Sequence, residues 1–350
     1  MLVARRNKPG ILDRVSIALE RPPVSKQAWS NEPAQPGEML AMPTAARQAA
    51  ARPPRQWWEF GRALLYMSPA LLLLLAFTYI PFLRSIWLSF FVTNPQGDTV
   101  RFNDVRYYTR ILNLDGSGRT EYLRSILTTV YFSLLVVPLG IVFALALALL
   151  ATLRVRAIAV FRTIFTSSIA ISVASASVIW ALIYSPNTRA TQWLIDLLHL
   201  NANSLLQHPA TALFAVAFMT TWTSLGFNFI VTLAGLQAIP HDIYESARID
   251  GANNWALFRY ITLPLLTPTL LFLILISTIQ SFQAFTQFNV LIGNEGPANA
   301  TDVFVFAIFT AFWKDNRYGF ASAMSVVLFL ILFVLTFIQY RLLDRRVHYQ

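Results

Sequence analysis

The sequence has no cysteine and carries little charge for its length. With no cysteine among 350 residues, disulfides, zinc–cysteine sites and thiol chemistry are excluded. Charged residues make up only 13% of the chain, whereas soluble domains contain about 25%. Hydrophobic residues make up 56%. This balance indicates an integral membrane protein.

Groups that could power or catalyse a reaction are also missing. No G-x-x-x-x-G-K-[S/T] occurs, so the chain lacks the usual phosphate-binding loop of nucleotide hydrolases. The four histidines lack metal-ligand spacing, and no carboxylate pair lies inside an apolar segment. No charge lies near the middle of such a segment, where it would cost at least about 2.5–3.5 kcal/mol and where ion-coupled carriers usually need one. We predict no enzymatic activity, no metal or cofactor in this chain, and an energy source elsewhere.

Six apolar segments are long enough to cross a bilayer, which takes about 20 residues. They lie at 63–91, 125–153, 157–184, 211–238, 264–285 and 319–341. The run 303–313 is too short to cross and is expected near the outer face. Residues 1–62, rich in Pro, Ala, Gln and Arg, are expected to form a largely disordered tail that ends in membrane-approach aromatics. The predicted fold is an all-α integral membrane protein with six transmembrane helices, in one domain over 63–350.

The basic residues predict how these spans are oriented. An even number of spans leaves both termini on one side, and Lys and Arg concentrate on the cytoplasmic side. With both termini inside, the cytoplasmic segments hold 18 of the 27 Lys and Arg. We therefore predict that the tail and residues 240–264 are cytoplasmic. Segments 92–122, 185–210 and 286–318 are then on the outer face.

Residues 240–264, PHDIYESARIDGANNWALFRYITLP, form a charged segment between two apolar spans. Pro240 and Asp242 are typical of a helix's first turn, and Gly251, which follows Asp250, is typical of a helix stop. A second short helical run follows, and Pro264 is expected to begin the next apolar helix. The pattern predicts a surface knob of two short helices that could dock into a partner's groove. An ordinary interhelical loop is the alternative.

The spacing within this segment resembles the cytoplasmic EAA loop of type I ABC-importer permeases. The matching positions are Glu245, Ala247, Asp250, Gly251, Ala252, Phe258, Ile261, Leu263 and Pro264, with Ser246 in place of the family's second alanine. The resemblance covers about 63–350, with a core transmembrane domain at about 121–341. It is nearest to the maltose-type family for carbohydrate and glycerol-3-phosphate uptake. It implies that Glu245, Ser246, Ala247, Asp250, Gly251, Ala252, Phe258 and Pro264 form a loop that couples an ATPase to the spans.

The resemblance also implies partners and a role. The expected role is the permease subunit of an ATP-driven importer in a prokaryotic inner membrane, for a sugar or sugar-like solute, glycerol-3-phosphate included. Expected partners are a second homologous permease in a heterodimer, two cytoplasmic ATPases that bind ATP and Mg²⁺, an extracytoplasmic substrate-binding protein and the lipid membrane. No nucleic acid is expected. The alternative is a stand-alone secondary carrier or channel for a polar solute.

Uncharged polar side chains recur along the fourth and fifth apolar segments and predict a substrate path. The candidates are Thr223, Asn228, Ser277, Gln280, Ser281, Gln283 and Gln287. Amides and hydroxyls hydrogen-bond sugar hydroxyls, and aromatic faces pack on the apolar faces of sugars. Helix packing is the alternative for any one of them, since such pairs contribute about 0.6 kcal/mol between membrane helices. The small-residue stretch 167–177 is interpreted instead as a packing seam, toward a second permease subunit, with substrate lining as the weaker option.

Overall fold

The computed structural model describes residues 57–344, except 117–119, 154–157, 198, 200–203 and 294–295. Of the tail predicted over 1–62, residues 1–56 lie outside the described residues, and residues 57–62 belong to the first helix. The chain divides into two units, one ending at Leu71 and one beginning at Leu72. The described residues are mostly helical, as predicted.

The first span is one long helical segment with a widened turn. Helix α1 (Trp57–Leu74) continues through a π-helical turn (Leu75–Tyr79) into α2 (Ile80–Leu88). Proline at 81 cannot donate a backbone hydrogen bond, and the N–H of Ile80 reaches back to the carbonyl of Leu75. The segment Phe60–Leu88 is long and apolar enough to cross a membrane, and none of its most apolar stretch is buried in the protein. Its apolar surface therefore suits contact with lipid or another chain.

A small β-hairpin follows the first span and was not predicted from the sequence. Strands β1 (Phe91–Thr93) and β2 (Thr99–Phe102) pair antiparallel, and Gly97 takes φ +92° in the turn between them. Strands of three and four residues leave too short an alternation to recognise. Helix α3 (Arg106–Ile111) then leads toward the second span.

Three spans are long single helices, close to the predicted bounds. They are α4 (Glu121–Ala151), α8 (Pro209–Gln237) and α15 (Tyr318–Asp344). Small residues let α4 and α8 approach closely, as is common between membrane helices. A Cβ built on Gly140 of α4 would lie 3.1 Å from Nδ2 of Asn228 on α8.

The third span is broken, so the prediction of one continuous helix over 157–184 is wrong. It consists of α5 (Ile158–Thr166), a 3₁₀ turn (Ser167–Ala170) and α6 (Val173–Ile183), with a bend of 103°. Ser172 has extended backbone angles, and its Oγ accepts a hydrogen bond from the N–H of Ser175 at 3.1 Å. A serine in this position caps the start of a new helix. The break therefore follows from local capping inside an apolar stretch.

The packing-seam interpretation of 167–177 holds in part within this chain. A Cβ on Gly226 of α8 would lie 2.4 Å from Oγ of Ser168 and 3.0 Å from the backbone nitrogen of Ile169. The 3₁₀ turn thus packs directly on the backbone of α8. A contact between this stretch and a second subunit stays a prediction.

The fifth span begins later than predicted. After α9 (His241–Ile249), the chain runs through α10 (Asn254–Leu257), a π-helical turn (Phe258–Thr262) and α11 (Leu263–Leu265), then bends by 62° into α12 (Thr267–Phe282). The long helix of the fifth span therefore begins at Thr267, three residues after the predicted start at Pro264. Proline at 268 has no N–H to donate to the carbonyl of Pro264, and the hydroxyl of Thr267 donates to that carbonyl at 2.6 Å instead.

The remaining elements are short. They are α7 (Arg189–Leu197), α13 (Thr286–Leu291), a 3₁₀ turn (Pro297–Asn299), α14 (Phe304–Phe309) and a π-helical turn (Thr310–Lys314). The apolar helix Phe304–Lys314 is too short to span, as predicted for 303–313. Among the described residues, four helices could cross a membrane alone, and the total is six if each bent pair is one span. In that six-span arrangement, alternation puts α3, α7 and α14 on the side opposite the segment 241–263.

Gly319 at the start of α15 makes a testable packing contact. A Cβ there would lie 2.1 Å from the carbonyl oxygen of Phe91 and 3.1 Å from that of Leu88, and backbone atoms cannot swing aside. We expect Gly319→Ala to lower stability by about 1–3 kcal/mol, as overpacking does. The readout is the apparent Tm of the detergent-purified protein. Gly61→Ala is the matched control because no atom lies within 4 Å of its Cβ position. Equal Tm values for the two variants would contradict the packing account.

Candidate functional site

The first helix of the 241–263 segment ends in a glycine turn. The N–H of Ala252 donates to the carbonyl of Ala247 at 2.9 Å, and the N–H of Gly251 donates to that of Arg248 at 3.1 Å. Gly251 has φ +85°. Together these bonds form a Schellman motif, which satisfies the last carbonyls of α9 and favours glycine at its left-handed position. The predicted helix stop at Asp250-Gly251 is confirmed, and Asp250 is the C-cap residue of α9.

A second cap and a cross-link hold the two short helices together. Oδ1 of Asn253 accepts from the N–H of Ala256 at 2.8 Å, which starts α10. The hydroxyls of Tyr244 on α9 and Thr262 in the π-helical turn lie 3.1 Å apart, and Thr262 is buried. Movement of α9 is therefore tied to the backbone that leads into α12.

Large apolar side chains are exposed on this segment. Ile249 is 85% exposed, Trp255 69% and Tyr260 75%. The two aromatic residues were not singled out in the sequence, because a Trp or Tyr beside a membrane span is also typical of the headgroup region. Exposed apolar groups gathered on one short segment are characteristic of a protein contact.

The carboxylate of Glu245 is available for a partner. Its Oε1 lies 3.0 Å from Nδ1 of His241, and both side chains are mostly exposed. An exposed pair of this kind contributes only about 0.3–0.5 kcal/mol even when the imidazole is charged, so a cation of a partner could displace it. The other predicted loop residues lie as follows: Ser246 is exposed, Ala247 and Phe258 are half-buried, and Pro264 lies within α11.

A polar cavity of about 440 Å³ lies between α8, α12, α13 and the broken third span. Six of the seven predicted path residues line it: Thr223, Ser277, Gln280, Ser281, Gln283 and Gln287. Its aromatic lining is Phe227 and Phe285, and no charged side chain among the described residues contributes. The cavity thus offers amides, hydroxyls and ring faces.

The lining residues differ in how free their polar groups are. The side chains of Gln280 and Gln283 are exposed, and they make no hydrogen bond to another described residue. Gln287 is buried, with Nε2 a long 3.5 Å from Oγ1 of Thr220. The hydroxyl of Ser281 is already engaged with Ser133 of α4 at 2.8 Å. The glutamines are therefore the groups best able to bind a solute.

Asn228 does not line the cavity. It is 2% exposed and packs beside Gly140 of α4. The cavity face of α8 carries Thr220, Thr223, Ser224 and Phe227. Asn228 lies one turn after Ser224, at the edge of this face, where it packs against Gly140 of α4. Its polar side chain packs in the contact between α4 and α8.

Residues of the stretch 167–177 also line the cavity. Ser168, Ile169, Ile171 and Val173 form the wall at the break in the third span. We predicted a packing seam here, with substrate lining as the weaker option. Small serines serve close helix packing and helix capping equally well, so the sequence carries no signal that separates the two.

Comparisons with known proteins agree with this architecture. Residues 116–349 match the family described as binding-protein-dependent transport system inner membrane component. The chain is 32% identical over 286 residues to the sn-glycerol-3-phosphate transport system permease protein UgpA of Brucella abortus, covering 81% of this chain and 94% of that protein. It is 31% identical over 274 residues to the trehalose/maltose transport system permease protein MalF of Thermococcus litoralis, covering 78% and 90%.

A solved structure shows the same fold. The crystal structure of a bacterial ABC transporter involved in the import of the acidic polysaccharide alginate superposes with a TM-score of 0.69 at 21% identity, covering 83% of this chain and 99% of that one. The same kind of transporter has been crystallised in complex with alginate pentasaccharide-bound periplasmic protein, with a TM-score of 0.68.

Proposed function

The chain belongs to the binding-protein-dependent transport system inner membrane component family, and on that premise we propose that it carries a sugar through its polar cavity, driven by an ATPase that docks on residues 241–263. The transporter is an ABC importer, and this chain is its membrane-spanning permease subunit. The observation that carries the proposal is the uncharged, glutamine-rich cavity.

The exposed face of the 241–263 segment supports docking of a cytoplasmic ATPase. Ile249 and Trp255 supply apolar contact area, and Glu245 supplies a charge for a basic residue of the partner. ATP and Mg²⁺ would be bound by the two partner subunits, since this sequence has no phosphate-binding loop of its own. A second, homologous permease would complete the membrane unit as a heterodimer.

The structure offers a mechanical route from the docking face to the cavity. A push on α9 would pass through the Tyr244–Thr262 contact into the π-helical turn. From there it would reach α12 across the 62° bend. Because α12 carries Ser277 and Gln280, a change in the bend would move one wall of the cavity.

The chemistry of the cavity favours a neutral polyhydroxylated solute. Two glutamine amides free of internal partners can each donate to and accept from hydroxyls, and Phe285 offers an apolar ring face. A glycerol phosphate or an acidic sugar would meet no cation in this wall. The substrate would arrive with an extracytoplasmic binding protein on the side of α3, α7 and α14, with both termini cytoplasmic.

Reconstitution tests this function. We expect no uptake of radiolabelled sugars by liposomes that contain this chain alone. ATP-dependent uptake is expected once the second permease, the ATPase and the binding protein are added. Uptake by the chain alone, without ATP, would contradict the proposal and favour a stand-alone carrier or channel.

A further inference from the structure

Two guanidinium groups share one buried aromatic ring. Cζ of Arg317 lies 4.2 Å from the ring centroid of Phe320, and Cζ of Arg110 lies 5.5 Å from it. Phe320 is 1% exposed, and the rings of Tyr107 and Tyr122 pack edge-on against it at 5.2 and 5.1 Å. Packing on an aromatic framework therefore holds these two positive charges in place.

Arg317 hydrogen-bonds the hydroxyl of Tyr122, and Glu121 acts electrostatically on the same tyrosine, but this acid forms no ion pair with either arginine in the part of the chain that the structure describes. Neither Arg110 nor Arg317 forms an ion pair there, and the Nε–H of Arg110 is buried without a hydrogen-bond acceptor. Arg101 adds a third charge: all three guanidinium groups act to lower the pKa of Tyr107, although burial of the phenol outweighs them and leaves that pKa raised. Like charges gathered in this way attract an anion.

The cluster lies where two spans leave the membrane. Arg317 immediately precedes α15, and Tyr122 is the second residue of α4. Exposed Trp87 and Trp313 lie at the same side, opposite the 241–263 segment. Tyrosine and tryptophan concentrate at the headgroup level of a bilayer. In the six-span arrangement we therefore expect the guanidinium groups at the depth of lipid phosphates.

We propose that Arg110 and Arg317 bind the phosphate group of an anionic phospholipid in the leaflet opposite the 241–263 segment. Guanidinium groups suit this ligand because their planar N–H donors match phosphate oxygens two at a time. The bound lipid would neutralise the cluster and join α3 to the start of α15. Free phosphate has the same chemistry but lacks the acyl chains that would keep it at this depth.

Lipid titration tests the site in the detergent-purified transporter complex. Dioleoylphosphatidylglycerol should bind in native mass spectrometry and raise the apparent Tm, whereas dioleoylphosphatidylcholine and inorganic phosphate should do so weakly. Replacing one of the two arginines by glutamine should lower phosphatidylglycerol affinity about fivefold. The double variant, Arg110→Gln with Arg317→Gln, should therefore lower it about 25-fold. Arg106→Gln is the matched control, since Arg106 is an exposed arginine of the same helix whose side chain does not contact Phe320.

Four results would overturn the proposal. The first is unchanged phosphatidylglycerol affinity in the double variant, and the second is an equal loss in Arg106→Gln. The third is stabilisation by inorganic phosphate as strong as that by the lipid, which would make this a free-anion site. The fourth is loss of binding-protein affinity with lipid affinity intact, which would assign the cluster to a protein contact. If the glutamine pair does not fold, Arg110→Lys with Arg317→Lys keeps both charges and should retain most of the preference for phosphatidylglycerol over phosphatidylcholine.

Discussion

Gly251→Pro should abolish ATP-driven uptake. Gly251 has φ +85° and donates its N–H to Arg248, whereas proline fixes φ near −65° and has no N–H. The strain and the lost hydrogen bond together cost about 2–4 kcal/mol, so the end of α9 must adopt another path. Because about 1.4 kcal/mol is a tenfold change in an equilibrium, docking of the ATPase should weaken by more than about tenfold. Uptake and ATP hydrolysis in proteoliposomes are the measurements.

Gly116→Pro is the control for this variant. Gly116 also has a positive φ, +67°, and no atom of the described residues lies within 4 Å of its Cβ position. It lies on the opposite side of the membrane from the 241–263 segment, so the same backbone conflict there should leave coupling intact. Glu245→Ala removes only a side chain and should reduce uptake by a smaller factor. Full transport by Gly251→Pro would refute the coupling role of the segment.

Replacing Gln280 and Gln287 together by leucine should have the second largest effect. Both amides line the cavity, and leucine keeps much of the volume while removing the donors and acceptors. If each amide hydrogen-bonds the sugar, the loss is about 0.5–1.5 kcal/mol apiece, which raises the KM for uptake about 5- to 150-fold. Basal ATP hydrolysis and assembly should be unchanged, because neither residue belongs to the docking face.

Gln207→Leu is the control for the glutamine pair. Gln207 is exposed and does not line the cavity. Its variant should keep the KM of the wild-type transporter. Unchanged uptake kinetics in the double variant would assign Gln280 and Gln287 to helix packing, the alternative that the sequence left open.

The helix stop and the long spans could be predicted because their causes are local or additive. A glycine after Asp250 satisfies the φ requirement of a Schellman turn, and it does so whatever packs around it. Helices α4, α8 and α15 follow from summed apolar character over more than 20 residues. For these elements the sequence pattern and the structure agree within a few residues.

The breaks in the third and fifth spans could not be predicted, because the hydropathy of the sequence does not mark where they occur. The third span turns by 103° at Ile171 and Ser172, although the stretch around them is predominantly apolar. In the fifth span, prolines at 264 and 268 are equally good helix starts, and only the hydroxyl of Thr267 shows which one coincides with the bend. The position of Asn228 off the cavity face depends on the rotation of α8 about its axis, which the packing against Gly140 fixes.

The turn at Ser172 also determines what kind of polarity the cavity wall can have. A helix that starts inside the membrane leaves its first amides without acceptors in its own helix, and Ser172 accepts only from the amides of Ser175 and Ala176. The main-chain N–H of Val173, a residue of the cavity wall, is thus a donor beside the solute space. Exchanging Ile171 or Val173 for other apolar residues should reshape that wall while its hydrogen-bonding capacity persists, because no side-chain substitution short of proline removes a peptide amide.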